Sequence, residues 1–354
     1  MASTTLAGAA MRGIVCAVPG DPIDVATLGT AFDAADVEKI KTTVGLARLH
    51  RVRPGQTAGD LCAAAARELL DRLGWDPQSV DGLLMVTQNP DHFAPATACV
   101  IHGKLGLSTR CLAFDVGMGC SGYVYGSFLA TQLVASGACR RVVLLAGDTS
   151  SVVASPRDRS VGLLFGDAGS ATAFEASPDA APASFVLATD GTGAEQLMIP
   201  AGAYRHRPTT EAYERREAEA GNHRAATDLY MDGLAVFNFT LQRVPQLVRE
   251  TAALQGWEPA DVDAVLFHQA NRFILQTLAK KLKLDMARVP VNIDKYGNTS
   301  VATIALLLGD AIADRLTTAE RSRVLMAGFG VGLSWAGAAL TIGRLEVATT
   351  IAVT

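Results

Sequence analysis

Cys120 is the residue of this sequence that is best placed for nucleophilic chemistry. It follows a glycine-flanked turn and precedes a long, mostly apolar stretch over residues 121–136, a pattern that predicts the start of a helix. The unpaired backbone N–H groups and the positive dipole end at a helix start stabilise a thiolate, so we expect a lowered pKa for this thiol. The six cysteines contain no C-x-x-C pair, which predicts neither a zinc site nor a disulfide framework.

Two further polar residues follow or begin predicted elements. His268 comes directly after a short apolar strand predicted over Ala264–Phe267, at the carboxyl end where open α/β sheets bind ligands. Asn298 opens a second long apolar stretch, in a position that matches that of Cys120. Alone, a histidine after a strand is usually structural and an asparagine at a helix start is usually an N-cap. These residues form a site only if the fold brings them together.

Internal repeats indicate that the chain is a duplication. Residues 74–84 and 256–266 align at an offset of 182 and are identical at six of eleven positions, where ordinary residue usage gives about one match. Short apolar strands over residues 141–144 and 323–326 repeat at the same offset. Pseudo-symmetry should therefore bring the helix starts at Cys120 and Asn298 to one interface, within reach of His268.

The elements that must position these residues alternate between strands and helices. Apolar spacing predicts a helix over Ala58–Leu73, which ends at Gly74. The predicted fold class is α/β, with two duplicated halves, each a mostly buried mixed sheet between helix layers. We expect the first half over residues 1–180 and the second over residues 181–354. Nearly all-apolar runs predict strands buried on both faces over residues 83–87, Leu112–Val116, 142–146, Ala264–Phe267 and 324–328.

Composition and charge exclude several classes of protein. The chain is 49% hydrophobic and 19% charged, which argues against disorder. A net charge of −4 excludes a polycationic surface, so we expect no nucleic-acid partner and no anionic membrane partner. The apolar runs fall short of the roughly 18 to 20 residues of a bilayer span. The first 18 residues lack the order of a signal peptide, which favours a cytoplasmic protein.

Residues 205–224 interrupt the repeat. They carry nine charged residues in twenty without a sustained apolar face, which predicts a solvated loop or an exposed helix. The segment is either a surface insertion without chemistry or a lid or partner-docking element.

Four motifs, in order, resemble those of the β-ketoacyl-acyl carrier protein synthase III family: Gly-Cys-Ser-Gly at 119–122, His-Gln-Ala-Asn at 268–271, Tyr-Gly-Asn-Thr-Ser at 296–300 and Gly-Phe-Gly-Val-Gly at 328–332. The resemblance spans about residues 12–344 and implies the duplicated thiolase fold in a homodimer. It also implies a decarboxylative Claisen condensation that gives a 3-oxoacyl product.

The resemblance implies a role for each site residue. Cys120 would take an acyl group from an acyl thioester. His268 and Asn298 would bind a malonyl thioester and stabilise the enolate that forms when carbon dioxide leaves. The backbone N–H groups of Cys120 and Val331 would form the oxyanion hole. Candidates for substrate or carrier binding are Arg159, Asn271 and Arg272.

The resemblance also implies the carriers. It requires no metal and no redox cofactor, because coenzyme A and the phosphopantetheine arm of acyl carrier protein are substrate carriers. The donor would be an acyl-CoA or a carrier-bound acyl group, and malonyl-acyl carrier protein would extend it. An acidic carrier protein could be steered by a basic cluster. The cluster consists of Lys280, Lys281, Lys283 and Arg288.

One family motif is altered, and this leaves the substrate open. Many members have Trp-Ile-x-x-Arg-Thr-Gly-Ile near the coenzyme A entrance, whereas Lys39 and Thr43 stand here in place of the aromatic residue and the arginine. We therefore expect poor priming by acetyl-CoA and a specialised pathway. Two alternatives remain at this stage. One is an acyltransferase that passes the acyl group to an alcohol or amine, and the other is a non-catalytic partner subunit that binds acyl chains.

Overall fold

Two mixed sheets lie at the centre of the computed structural model, which describes residues 1–28 and 32–354. The strands, in chain order, are β1 (Ala2–Leu6), β2 (Ala9–Pro19), β3 (Ile23–Asp24), β4 (Arg48–Leu49), β5 (Gly82–Val86), β6 (Leu112–Val116), β7 (Arg141–Ala146), β8 (Gly169–Ala176), β9 (Ala183–Thr189), β10 (Leu197–Met198), β11 (Arg216–Glu217), β12 (His223–Arg224), β13 (Tyr230–Met231), β14 (Ala264–Phe267), β15 (Arg321–Gly330), β16 (Ser334–Gly343) and β17 (Val347–Val353). One sheet has the order β17-β2-β8-β7-β5-β6, and the other has the order β1-β9-β16-β15-β14.

Helices cover both sheets and fill the space between them. They are α1 (Val25–Leu28), α2 (Ala34–Val44), α3 (Ala58–Leu73), α4 (Thr97–Leu105), α5 (Gly122–Ala135), α6 (Gly233–Ala253), α7 (Arg272–Leu282), α8 (Ile293–Tyr296), α9 (Thr303–Leu306) and α10 (Ala313–Thr318). Helix α3 packs on the outer face of the first sheet and α6 on the outer face of the second, while α5 contacts both sheets from within. The result is the predicted α/β architecture, with sheets between helix layers.

Local sequence explains where the helix on the first sheet begins and ends. Thr57 caps α3 in a capping box with Asp60, and Gly74 ends it in the left-handed conformation (φ 60°) that glycine adopts without strain. The predicted bounds of this helix, Ala58–Leu73, are confirmed. The bounds of β6 and β14 also agree with the sequence prediction.

The internal repeat appears in the structure as a repeated contact. Arg141, at the start of β7, lies over the Trp75 ring with its guanidinium carbon 4.5 Å from the ring centroid. Arg323, in β15, lies over Trp257 in the same way at 5.6 Å. Both the tryptophans and the arginines are separated by the offset of 182 seen in the sequence. The duplication inferred from the sequence therefore has a structural counterpart in the two sheets.

Each sheet also contains a terminal strand from the other half of the chain. Strand β1 pairs antiparallel with β9 in the second half, and β17 pairs parallel with β2 in the first, with Val347 opposite Gly13. This exchange of terminal strands between the two halves was not predicted from the sequence. The boundary near residue 180 remains a prediction.

The sequence prediction of burial on both faces is wrong for β6. This strand is the edge of the first sheet, and the side chain of Phe114 is 38% exposed. The other strands predicted in this way, such as β5 and β14, are buried throughout. An apolar run alone does not distinguish a central strand from an edge that another surface covers.

The charged segment 205–224 lies mostly exposed in short strands and turns, in agreement with the predicted solvated loop. Arg215, Arg216 and Arg224 form ion pairs. Arg215 donates two hydrogen bonds of 2.9 Å to Asp228, and Arg224 lies 3.2 Å from the buried Asp158. Among the described residues, no helix combines the length and apolar character needed to cross a membrane.

The pairing of β17 with β2 brings the Val347 side chain close to Gly13. A Cβ at this position would lie 2.7 Å from Val347 Cγ1 and 3.2 Å from Leu69 Cδ1. We expect Gly13→Ala to lower the free energy of unfolding by about 1–3 kcal/mol through overpacking. Adding Val347→Ala should recover part of this loss, so the two effects should not be additive in urea denaturation.

The matched control is Gly103→Ala. Gly103 lies inside α4 with no atom near its missing Cβ, so alanine should leave stability unchanged or raise it by up to about 1 kcal/mol. Additive effects of the substitutions at Gly13 and Val347 would contradict the contact.

Candidate active site

Cys120 lies in the turn between β6 and α5, at the contact between the two halves. Its side chain is 8% exposed. A Cβ built on Gly330, at the end of β15, would lie 2.8 Å from the Cys120 Cβ and 2.9 Å from Sγ. Gly330 therefore allows the backbone of the second half to lie directly against the thiol.

The pKa of this thiol is opposite in direction to the sequence prediction. Burial raises the pKa of Cys120 to about 11, and the negative charge of Asp148 raises it further. Hydrogen bonds from the Ser300 side chain and from the backbones of Val331 and Cys120 itself oppose this increase. The helix start predicted a stabilised thiolate but gave no indication of how completely the thiol is buried.

The backbone N–H groups expected in the oxyanion hole converge on the sulfur. They belong to Cys120, in the first half, and to Val331, in the loop after β15. Each lies close enough to the sulfur to lower the pKa of the Cys120 thiol. When an acyl group is bonded to this sulfur, the same two N–H groups can also reach its carbonyl oxygen.

His268 follows β14 and is 2% exposed. Its Nδ1 lies 2.8 Å from Thr303 Oγ1, and its ring packs edge-on against Phe329 with centroids 5.5 Å apart. Burial lowers the pKa of His268 to about 3, although a hydrogen bond to the Ser300 backbone opposes the shift. The imidazole is therefore neutral near pH 7, and it offers one N–H donor and one nitrogen acceptor.

Asn298 is held by a segment of the first half. Its backbone N–H donates to Leu164 O at 3.0 Å, and its carbonyl accepts from Gly166 N–H at 3.2 Å. Its side-chain Oδ1 accepts from the Ser300 N–H at 2.9 Å. These bonds fix the backbone and the amide oxygen of a side chain that is 5% exposed.

Ser300 connects the predicted site residues. Its Oγ lies 4.0 Å from Cys120 Sγ, its N–H binds Asn298, and its backbone is hydrogen-bonded by His268. Ser300 has a positive φ of 51°, a conformation that non-glycine residues seldom adopt. The structure thus brings Cys120, His268 and Asn298 together around one residue.

A cavity and a cleft lead from the thiol to the surface. The cavity at Cys120, of about 50 Å³, is lined mainly by apolar side chains such as Phe165 and Leu229. It shares residues Gln88 and Asn89 with a wider cleft of about 1260 Å³, which we call the entrance cleft. The entrance cleft is lined in part by Arg51, Arg53, Phe93 and Tyr213.

The sequence did not single out the residues of the entrance cleft. Lys39 and Thr43, at the altered family motif, do not line it among the described residues, whereas Arg51 and Arg53 do. Nothing in their sequence context marks these arginines, because the cleft forms from segments distant in the chain. Asp148, by contrast, lies just after β7, where the reasoning applied to His268 would have found it.

The three candidates for substrate binding have other contacts in this structure. Asn271 caps α7, its Oδ1 accepting from Ile274 N–H at 2.7 Å. Arg272 packs beside Gly45, and the backbone N–H of Arg159 donates to Asn222 Oδ1 at 3.0 Å. None of the three lines the cavity or the entrance cleft in the described part of the chain. Their role in binding remains a prediction.

The described residues contain no group of three or more His, Cys, Asp or Glu side chains arranged to hold a metal ion.

Two members of the predicted basic cluster donate to backbone carbonyl groups instead of facing a site. Lys281 Nζ lies 3.1 Å from Leu241 O, and the Arg288 guanidinium lies 2.6 Å from Val262 O.

Two family models match the chain. The model described as 3-oxoacyl-[acyl-carrier-protein (ACP)] synthase III matches residues 114–191, which contain Cys120. The model described as its C terminal matches residues 252–342, which contain His268 and Asn298. The matched segments therefore include all three predicted site residues.

Individual relatives match nearly the whole chain. A β-ketoacyl-[acyl-carrier-protein] synthase III of Streptomyces coelicolor is 35% identical, with 96% of each chain covered. A synthase III of Alkalilimnicola ehrlichii is 34% identical, covering 91% of this chain and 95% of its own. The crystal structure of a 3-oxoacyl-(acyl-carrier protein) synthase from Burkholderia xenovorans has a TM-score of 0.93 and 43% identity, with 99% of both chains covered. By these matches, the chain belongs to the 3-oxoacyl-[acyl-carrier-protein] synthase III family.

Proposed function

We propose that this enzyme catalyses a decarboxylative Claisen condensation of an acyl thioester with malonyl-acyl carrier protein, through an acyl-Cys120 intermediate. The observation that carries the proposal is the contact of Cys120, His268 and Asn298 with the same residue, Ser300, in one buried pocket. The names of the relatives support the reaction class. The product is a 3-oxoacyl thioester on the carrier.

In the first half-reaction, the Cys120 sulfur attacks the thioester carbonyl of the donor. The carbonyl oxygen becomes negatively charged, and the N–H groups of Cys120 and Val331 stabilise it. The donor thiol then leaves, and the acyl group remains on the sulfur. The mostly apolar walls at Cys120 suit an acyl chain, and the entrance cleft suits the pantetheine arm that delivers it.

In the second half-reaction, the thioester oxygen of the malonyl group binds beside His268 and Asn298. Loss of carbon dioxide leaves an enolate, whose oxygen accepts hydrogen bonds from the Asn298 amide and from Nε2–H of His268, in the tautomer whose Nδ1 accepts from the Thr303 hydroxyl. The lowered pKa of His268 supports a role as a neutral donor instead of a general acid near pH 7. The enolate carbon attacks acyl-Cys120, which releases the thiolate and the 3-oxoacyl product.

The chemistry uses groups of the protein alone, and coenzyme A and phosphopantetheine enter as parts of the substrates. Acyl carrier protein is the proposed partner, with Arg53 at the entrance cleft available to its acidic surface or to phosphate. All six cysteines are free, which supports a reducing compartment such as the cytoplasm. Transfer of the acyl group to an alcohol or amine would not need Asn298 as an oxyanion donor, so the position of Asn298 favours condensation.

We also infer a homodimer formed through β6. This strand is the edge of the first sheet and leaves backbone groups without a strand partner on one side in the monomer. Phe114 on β6 is 38% exposed, and Phe93, which lines a cleft together with Asp115 of β6, is 75% exposed. Two copies of this edge related by a twofold axis would pair their strands and cover these rings.

Asn298→Ala tests the condensation step. We expect this variant to form acyl-Cys120, because that step uses the thiol and backbone donors, whereas decarboxylation of malonyl thioester should fall on the order of 100- to 1000-fold. Intact-mass spectrometry measures the acyl-enzyme while released carbon dioxide is counted in the same sample. Unchanged decarboxylation in a folded variant would remove Asn298 from the mechanism. Wild-type enzyme that acylates an alcohol but never decarboxylates malonyl thioester would establish the acyltransferase.

Arg53→Ala tests the entrance cleft. Loss of this exposed guanidinium should raise the KM for a coenzyme A or carrier thioester by roughly threefold to tenfold and leave kcat nearly unchanged. The matched control is Lys39→Ala, which removes a cation outside the entrance cleft and should leave KM unchanged. Equal effects of the two substitutions would show that general charge, and not this cleft, sets the affinity.

Phe114→Asp tests the dimer. A carboxylate on β6 should disfavour the pairing of two edges, so the mass measured by light scattering should fall from that of a dimer to that of a monomer. Phe273→Asp is the control, since Phe273 is 52% exposed on α7 and away from this edge. A wild-type monomer, or dimers of both variants, would contradict the interface.

A further inference from the structure

Asp148 is a buried carboxyl group beside the site that the proposed reaction does not use. It lies just after β7 and is 1% exposed. Its Oδ1 accepts from Thr87 Oγ1 at 2.9 Å and from Gln88 N–H at 2.8 Å. The backbone N–H of Val301 lies 3.5 Å from its Oδ2, and the side chain of the adjacent Ser300 also faces it. All of these donors are neutral, so the hydrogen bonds fix the position of the carboxyl group without supplying a positive charge.

Ser300 connects this carboxyl group to the nucleophile. Its hydroxyl faces Asp148, whose pKa it lowers, and lies 4.0 Å from Cys120 Sγ, within hydrogen-bond range for sulfur. A hydroxyl donates one hydrogen bond and accepts others, so it can pass a proton from one neighbour to the next. Cys120, Ser300 and Asp148 therefore form a continuous chain of exchangeable protons from the active-site sulfur into the first half.

We propose that Ser300 and Asp148 form a proton relay that accepts the thiol proton of Cys120 when the sulfur attacks the acyl donor. The inference rests on the proposed function of Cys120 as the nucleophile. Before the attack, the thiol donates to Ser300 Oγ and the Ser300 hydroxyl donates to the carboxylate. After the transfer, Asp148 is a neutral acid that donates to Ser300 Oγ, and the Ser300 hydroxyl donates to the thiolate.

The proton balance of the first half-reaction closes within the site. The S–H bond of Cys120 breaks, an O–H bond forms on Ser300, and the original hydroxyl proton moves to Asp148. When the donor thiolate leaves, the relay runs in reverse and delivers one proton to it. The donor thus departs as a neutral thiol, Asp148 is again a carboxylate, and Cys120 carries the acyl group.

The charge of Asp148 couples it electrostatically to Cys120. Burial raises the pKa of Asp148 to about 6, so its neutral form is accessible near neutral pH. The negative charge of Asp148 is one cause of the raised pKa of Cys120. Protonation of Asp148 removes this charge and so makes the thiolate of Cys120 more stable. Cys62 on α3, itself near Asp91, also faces Asp148, and its pKa is raised to about 12. Cys62 and His268 thus remain neutral between pH 5 and 9.

A relay and a purely electrostatic role predict opposite results. If Asp148 acted only through its charge, Asp148→Asn would ease formation of the thiolate and speed the reactions of Cys120. A relay predicts that the same substitution slows them, because the thiol proton loses its acceptor.

The test follows Cys120 directly in the wild type, Asp148→Asn, Ser300→Ala and the double variant. Alkylation by iodoacetamide and single-turnover acylation by a panel of acyl-CoA and acyl carrier protein thioesters are measured by intact mass from pH 5 to 9. We expect each single variant to react at least roughly 10-fold more slowly near pH 7. The double variant should be no slower than the slower single variant, since both lie in one path. The inflection near pH 6 in the wild type should be absent from Asp148→Asn.

Asp167→Asn is the matched control. Asp167 is also buried and accepts from a serine hydroxyl, that of Ser151, and from Val52 N–H. It has no contact with Cys120 in the described structure, so the alkylation rate should stay at the wild-type value. Thermal unfolding checks that each variant is folded. If Asp148→Asn does not fold, Ser300→Ala, which removes one hydroxyl, decides the result.

The outcomes distinguish the relay from the proposed function. Wild-type or faster rates in Asp148→Asn and Ser300→Ala, with wild-type enzyme that forms acyl-Cys120, would overturn the relay and leave the proposed function intact. Wild-type enzyme that forms no acyl-Cys120 with any thioester in the panel would overturn the proposed function instead. Slow alkylation in both single variants with a normal rate in Asp167→Asn would support the relay.

Discussion

The site depends on the close contact between the start of α5 and the end of β15. A Cβ on Gly328 would lie 2.8 Å from Ser121 Cα, and one on Gly330 would lie equally close to the Cys120 Cβ. The Ser121 and Ser334 hydroxyls, 2.7 Å apart, join the same two segments. Because the halves meet backbone to backbone here, the N–H groups of both halves reach the same sulfur. A larger side chain at either glycine would separate the donors from the nucleophile.

Much of the fold followed from the sequence because the signals were local or repeated. The offset of 182 and the apolar runs gave the α/β duplication, and motif order gave Cys120, His268 and Asn298. The exchange of β1 and β17 escaped prediction because neither segment carries a distinctive pattern, β1 being Ala-Ser-Thr-Thr-Leu, and only long-range pairing decides which sheet each joins. Strand pairing of this kind leaves no periodicity in the chain itself.

The electrostatics of the site escaped prediction for a different reason. A helix start is visible in a sequence, but the depth at which a thiol is buried is not, so the direction of the Cys120 pKa was wrong. The low pKa of His268 has the same origin, since its buried ring lies against Phe329. Ser300 and Asp148 come from different halves, and only their packing reveals the contact. The site is thus a set of neutral donors around a buried sulfur, with the carboxyl group of Asp148 beside them.

The exchange of terminal strands bears on how the molecule is made. Gly13 pairs opposite Val347, so β2 cannot complete its pairing until β17 has been synthesised, more than 300 residues later. Contacts so distant in sequence slow folding, and an unpaired edge is open to wrong partners during synthesis. Neither sheet can be complete in a nascent chain that lacks the other half.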